Sequence, residues 1–208
     1  KGEADADSLA LKPVEFYAEN GIDFRPGVRG VSLDRGAKRL ALSNGETVGY
    51  DVLILATGAR PIALPIEGAD LQGALFLRTA EDAEKLKAAL GPGKRLAVVG
   101  GGYIGLEVAE NFHERGLFTT VVEGAPHVLA PFDDEMAAIV HAHMRDKEIE
   151  LHLDDKVEHF EDRPDHTIVF LASGKRIQAD IVVLAIGVRP EVKLARDAGL
   201  ELGAVGGI

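Results

Sequence analysis

The sequence predicts an α/β fold: a parallel sheet with helices packed against it and a small antiparallel β-meander alongside. Three observations carry this expectation. Between residues 95 and 153, apolar runs of strand length alternate with helical patterns, the order in which crossover helices join parallel strands. A turn with glycines at 100, 102 and 105 stands between one of those strands and the helix after it. A stretch near the start of the chain also recurs, without a gap, in the second half.

Taken in order, residues 9–20 have a helical pattern stopped at Gly21, and residues 22–24 read as the beginning of a strand. Antiparallel strands are expected at 28–34 and 39–42, with Asn44-Gly45 forming a turn that tolerates positive φ. The run DVLILATG, residues 51–58, has the length and apolar content of a strand buried on both faces. Pro and Gly mark 59–70 as a linker, and the helical pattern of 79–90 is broken by Gly91-Pro92-Gly93. Next come a strand (95–99), the glycine turn, a helix (103–115), a strand (119–123), a helix (133–147) and a strand (149–153). Asp133, Asp134 and Glu135 suit a helix start, where carboxylates accept from free N–H groups and oppose the positive dipole end. A second hairpin is expected from 166–171 and 176–178 around Ser173-Gly174, followed by a further buried strand, DIVVLAIG, at 180–187.

Each glycine of the turn has its own task in a strand–turn–helix setting. Gly100 permits the tight turn, Gly102 lets the backbone approach a pyrophosphate, and Gly105 lets helix and strand pack closely. Gly101, Tyr103 and Ile104 complete the segment, whose helix N-terminus offers unpaired N–H groups to phosphates. Glu123, eighteen residues past Gly105 at the end of the next strand, is positioned to accept hydrogen bonds from the adenosine ribose hydroxyls. The pattern is that of a Rossmann-like dinucleotide-binding domain. A carboxylate at 123 repels the extra phosphate of NADP, and no Arg or Lys follows in 124–129. NADH is therefore expected in preference to NADPH. His127 alone could lend partial positive charge there, and it reads more readily as an ordinary loop residue.

Laying residues 42–61 over 171–190 gives identity at eight of twenty positions, all at one offset of 129. The matches include Gly45 with Gly174, Asp51 with Asp180, Gly58 with Gly187, and both Arg-Pro pairs. The chain is thus expected to hold the ends of two related dinucleotide-binding domains. The second has its glycine turn. The same offset puts the first domain's turn before Lys1, so its opening β-α-β unit is expected to lie outside this sequence.

Composition narrows the function classes. Twenty-three Lys and Arg against thirty-four Asp and Glu leave a net charge of −11, which opposes binding to a phosphate backbone and argues against a nucleic-acid partner. No apolar run approaches the roughly 18 residues needed to span a bilayer, and the opening KGEADADS lacks a signal-peptide core. No membrane association and a cytoplasmic home are expected. The absence of cysteine removes disulfides, thiolate zinc sites and a Cys nucleophile from these residues. His152, His159 and His166 recur at intervals of seven, but no HxxH or HExxH pairing supports a metal site, and none is expected. His141 and His143, two apart on a helix, point in different directions.

The segments VVGGGYIGLEVAE (98–110), ATGARP (56–61) and AIGVRP (185–190), in this order, resemble the FAD-dependent pyridine nucleotide-disulfide oxidoreductases, over almost the whole chain. The resemblance implies an FAD domain interrupted by an NADH domain. On that pattern residues 1–66 are a partial FAD-binding domain, 67–189 a complete NADH-binding domain, and 190–208 the start of the return to the FAD domain. The tail AVGGI resembles the lead-in to the family's last FAD motif, whose Gly-Asp ending is absent.

The same resemblance implies roles for single residues. Tyr103 falls where the family often has an aromatic that covers the flavin until the nicotinamide displaces it, although a helix-start packing residue fits as well. Glu107 matches a glutamate near the nicotinamide–flavin junction, against the plainer reading of an amphipathic-helix Glu. Gly187 would let the backbone pass close to the nicotinamide, and Ala56, Thr57 and Gly58 would do so along the FAD. The implied activity is hydride transfer from NADH to FAD and on to a disulfide, oxygen or a redox protein, in a parent that is a homodimer, with this piece alone inert. The opening 2–24 resembles the ferredoxin and rubredoxin reductases, whereas 127–153 is more like the NADH oxidase and coenzyme A-disulfide reductase branch. A reading from another class stays open: a non-catalytic NADH-binding sensor or interaction module.

Overall fold

The computed structural model describes residues 10–69 and 74–208, and the chain divides into two units, residues 1–60 with 189–208 and residues 61–188. In the smaller unit, helix α1 (Val14–Glu19) starts after Pro13, later than residue 9, because a proline biases the residue before it away from helical backbone. Gly21, at φ +69°, follows its end. Residues 22–24 form no strand; Phe24 instead stacks on Tyr17, with ring centroids 4.2 Å apart. Strands β1 (Gly30–Asp34), β2 (Arg39–Leu42) and β3 (Thr47–Gly49) make an antiparallel meander. Gly45 takes φ +87° and donates its N–H to the Leu42 carbonyl at that turn. Strand β4 (Ala59–Pro61) ends this half of the unit.

The larger unit runs β5 (Ala74–Leu75), α2 (Ala80–Ala89), β6 (Arg95–Val99), α3 (Tyr103–His113), β7 (Phe118–Val122), α4 (Asp134–Asp146), β8 (Glu150–His152), β9 (Val157–Asp162), β10 (Thr167–Leu171), β11 (Arg176–Ala179) and β12 (Ile181–Leu184). Asp133 caps α4 by accepting the Met136 N–H, and Thr79 caps α2 in a reciprocal pair with Asp82. The chain then passes through β13 (Val188–Pro190) to α5 (Lys193–Asp197) in the smaller unit, where Arg35 donates to the Gly199 carbonyl.

Five strands form a parallel sheet in the order β5-β12-β6-β7-β8, and β11-β10-β9 form an antiparallel one. Side chains alternate across the parallel sheet with the period of a strand. Leu96, Val98, Val121, Ile181 and Val183 meet Val108 and Phe112 of α3 and Met144 of α4. Ala97, Val99, Val122, Val182 and Leu184 meet Phe160, Val169 and Leu171 of the antiparallel sheet. Both faces are buried, so each Val, Leu, Ile, Phe or Met among these side chains contributes about 1.5–3 kcal/mol of burial free energy. Strand β9 and the short elements β5 and α5 carry no signal of their own in the sequence.

Residues 51–58 depart from expectation. They form no strand, and Val52 and Ile54 are 82% and 84% exposed. Their repeat partner β12 is a strand because β5 and β6 flank it and bond it from both sides. Among the described residues no strand flanks 51–58 in that way, so the run has no ladder to join its backbone groups.

Candidate functional site

Beside β6 the strand order reverses, because the chain goes on to β7 on one side while β12 lies on the other. In an open parallel sheet the crevice at such a reversal, beyond the carboxyl ends of the strands, is where ligands bind. The carboxyl ends here are held in step. Gly100 donates its N–H to the Val122 carbonyl at 2.8 Å, Ala185 to Val99 at 2.7 Å, and Glu123 to His152 at 2.8 Å. A cleft of about 790 Å³ opens over them, wholly within the larger unit and lined by Gly100, Gly102, Tyr103, Ile104, Glu123 and Gly187 among others.

The glycines are required for different reasons. Gly100 has φ +109°, and a Cβ there would lie 2.5 Å from the Ala185 carbonyl oxygen. A Cβ at Gly105 would lie 2.0 Å from the Gly100 carbonyl oxygen, so α3 can approach β6 this closely only with glycine at that position. One at Gly101 would meet Val128 at 2.8 Å. Gly102 differs, since nothing stands within 4 Å of its Cβ position. It caps α3 without a side chain, so no side-chain cap occupies the first-turn N–H groups. The open side of Gly102 and an uncapped helix N-terminus together form a cradle that fits a pyrophosphate.

Glu123, at the end of β7, is tied to the same turn. Its Oε2 accepts the Gly101 N–H at 2.6 Å and its Oε1 the Ala125 N–H at 2.8 Å. The carboxylate thus braces the glycine turn as well as facing the cleft. Tyr103 is 59% exposed at the cleft wall, edge-on to Phe132 with centroids 6.4 Å apart, and Ile104 is 43% exposed. Glu107 lies one turn further along α3, exposed and outside the cleft lining. Gly187, at φ +107°, accepts the Ile62 N–H through its carbonyl. In the smaller unit, Gly58 has φ +71°, its carbonyl accepts the Glu191 N–H, and the Thr57 hydroxyl donates to the Glu191 carbonyl. Ala56 precedes them in the run 51–58, which forms no strand.

Sequence reasoning missed two parts of the cleft. The loop after β7 is shaped by His141 of α4, whose Nε2 accepts the Val128 N–H at 3.2 Å. Burial, with the nearby Arg145 and His127, keeps the His141 imidazole below its ordinary pKa and so neutral. The other part is Lys156, which the β8–β9 connection brings to the cleft beside Gly124. Neither residue stands at a motif spacing that would have found it. Among the described residues no group of three or more His, Cys, Asp or Glu could hold a metal ion, and no helix is long and apolar enough to cross a membrane.

A glycine turn of this geometry at the switch point of a parallel sheet is that of a Rossmann-like dinucleotide-binding domain, and comparison with known proteins gives the family. The family model described as pyridine nucleotide-disulphide oxidoreductase matches residues 2–208, and the chain belongs to that family. It is 39% identical over 202 residues to the rubredoxin-NAD(+) reductase of Pseudomonas putida, covering 96% of this chain and 52% of that protein. The ferredoxin reductase for the CYP199A2 system of Rhodopseudomonas palustris superposes with a TM-score of 0.92 at 34% identity, over 96% of this chain and 50% of its own. Reduced CoADR-RHD of Bacillus anthracis superposes at 0.90 and 38% identity, over 97% of this chain and 38% of its own. The chain spans about half the length of the curated relatives it matches.

Proposed function

We propose that the cleft of the larger unit binds NADH, and that the protein passes hydride from it to FAD and then electrons to an acceptor. The observation that carries this reading is the open Gly102 cradle at an uncapped helix start, with Glu123 at the end of the adjacent strand. In it, Gly102 and the first-turn amides of α3 hold the pyrophosphate, Glu123 receives the adenosine ribose, and Gly187 borders the nicotinamide. Tyr103 and Glu107 lie on the α3 face next to the reacting rings, Tyr103 excluding water until the nicotinamide takes its place. The backbone of Ala56, Thr57 and Gly58 runs along the flavin.

Residues 1–66 and 190–208 belong, on this reading, to a flavin domain and 67–189 to the NADH domain, as the internal repeat and the half-length match to relatives support. FAD supplies the capacity to take two electrons as hydride and release them to an acceptor. The protein's share is position: it holds donor and acceptor rings in contact. The acceptor proposed is a small redox protein of the rubredoxin or ferredoxin class, in keeping with the names of two relatives. Anaerobic NADH added to the flavin-loaded protein should bleach the flavin absorbance, and a redox protein of that class should restore it. An unbleached flavin beside tight NADH binding would instead mark a sensor or interaction module.

A further inference from the structure

Lys156 offers the ribose end of the cleft a positive charge that no residue following Glu123 supplies. Its side-chain stem lies over Gly124, where a Cβ would meet the Lys156 Cγ at 3.0 Å and Cε at 3.5 Å. The absence of a side chain at 124 is what makes room for it. The connection that presents Lys156 is pinned on every side. Asp154 donates to the Ala125 carbonyl, Asp155 to the Glu123 carbonyl, and the Lys156 carbonyl accepts the Ala172 N–H. The buried Asp155 carboxylate accepts both the N–H and the hydroxyl of Ser173, at 3.0 and 2.6 Å. A lysine on such a loop keeps its place instead of sweeping the surface.

The charges around it are disposed so that the ammonium group is available. Lys156 is exposed, and its ammonium group forms no hydrogen bond or ion pair among the described residues. Glu123, a carboxylate of the same cleft lining, directs both oxygens at backbone N–H groups of Gly101 and Ala125. Asp155 is occupied by Ser173. An anion entering beside Gly124 therefore meets one unpaired cation and a carboxylate whose charge is already shared with two amides.

Building on the dinucleotide reading of the cleft, we propose that Lys156 is a second determinant of nucleotide choice: it receives the ribose 2′-phosphate and gives the protein a usable affinity for NADPH against the opposition of Glu123. The residue acts on binding and touches no reacting atom. Gly124 serves it as a positioning residue.

The test is calorimetric titration of the chain with NADH and NADPH, in the unsubstituted form and as Lys156→Gln, Lys156→Glu and Gly124→Ala. Lys156→Gln should weaken NADPH by about three- to tenfold, the scale of one partly exposed charge-assisted contact, and Lys156→Glu by more, while NADH changes by less than about twofold. Gly124→Ala, which pushes the stem aside, should weaken NADPH in the same direction. The difference between the unsubstituted chain and Lys156→Gln should shrink at high salt, because an exposed charge is screened. NADH binding with an NADPH-to-NADH ratio that Lys156→Gln leaves unchanged overturns the role of Lys156 alone. Equal weakening of both nucleotides overturns it too, because Lys156 would then act on the fold of the loop. Absence of NADH binding in the unsubstituted chain overturns the reading of the cleft, and this inference with it.

Discussion

Two alanine substitutions in the same turn should separate stability from binding. At Gly105 a Cβ would sit 2.0 Å from the Gly100 carbonyl oxygen and 3.1 Å from its carbon. The obstacle is backbone, so α3 must move off β6 by about 1 Å, in an interior that packs as densely as an organic crystal. Overpacking costs about 1–3 kcal/mol, and a backbone obstacle this close puts Gly105 in the upper part of that range, at about 2–3 kcal/mol. Replacing glycine inside a helix returns about 1 kcal/mol. The expected net loss for Gly105→Ala is about 1–2 kcal/mol, read as a lowered urea midpoint of the larger unit.

At Gly102 nothing lies within 4 Å, and φ is −79°. Gly102→Ala should therefore cost no more than about 1 kcal/mol, the loss of a better cap residue. Its methyl group would project into the cradle instead. NADH affinity should fall at least about tenfold, equivalent to about 1.4 kcal/mol. Urea unfolding and calorimetric NADH titration of both variants check the pair. A Gly105→Ala protein as stable as the parent, or a Gly102→Ala protein that binds NADH like the parent, would refute the division of labour.

Two further outcomes follow from the packing. The neutral His141 imidazole accepts the Val128 N–H, and its pKa lies below 6.5 in the folded chain. Its contribution is therefore complete above pH 6.5 and lost as pH falls through the lowered value, since the unfolded state binds the proton first; urea midpoints should drop more steeply below pH 6.5 than in His141→Gln, and equal slopes would contradict this. Asp180 accepts from the Arg95 backbone N–H at 2.7 Å and pairs with its guanidinium at 2.5 Å, and that guanidinium holds the carboxyl below its usual range. Because Arg95 is partly exposed, Asp180→Ala should cost about 1–2 kcal/mol in urea unfolding, and a loss smaller than the scatter of repeated titrations would show that the pair adds nothing.

The sheet, its helices and the glycine turn could be read from the sequence because local pattern and tertiary demand agree there. The cap Asp133 and the turn glycine Gly105 need only neighbours that the same stretch of chain supplies. The strand expected at 51–58 shows the limit. Its composition matches that of β12, yet β12 has strands on both edges and 51–58 has neither among the described residues. Periodicity reports which face could be buried, and pairing decides whether a strand forms. Site residues divide in the same way. Gly100, Gly105 and Glu123 sit at fixed spacings around one turn. Lys156 reaches the cleft from a connection thirty-three positions beyond Glu123, held there by Asp155 and Ser173, a pairing that no local pattern announces.

The central claim is that the larger unit holds a working dinucleotide site, and calorimetric titration of the chain with NADH at one fixed ionic strength tests it most directly. Saturable binding of one NADH per chain, weakened at least about tenfold in Glu123→Ala, is the predicted result. No binding, or binding indifferent to the loss of the Glu123 carboxylate, would contradict the account.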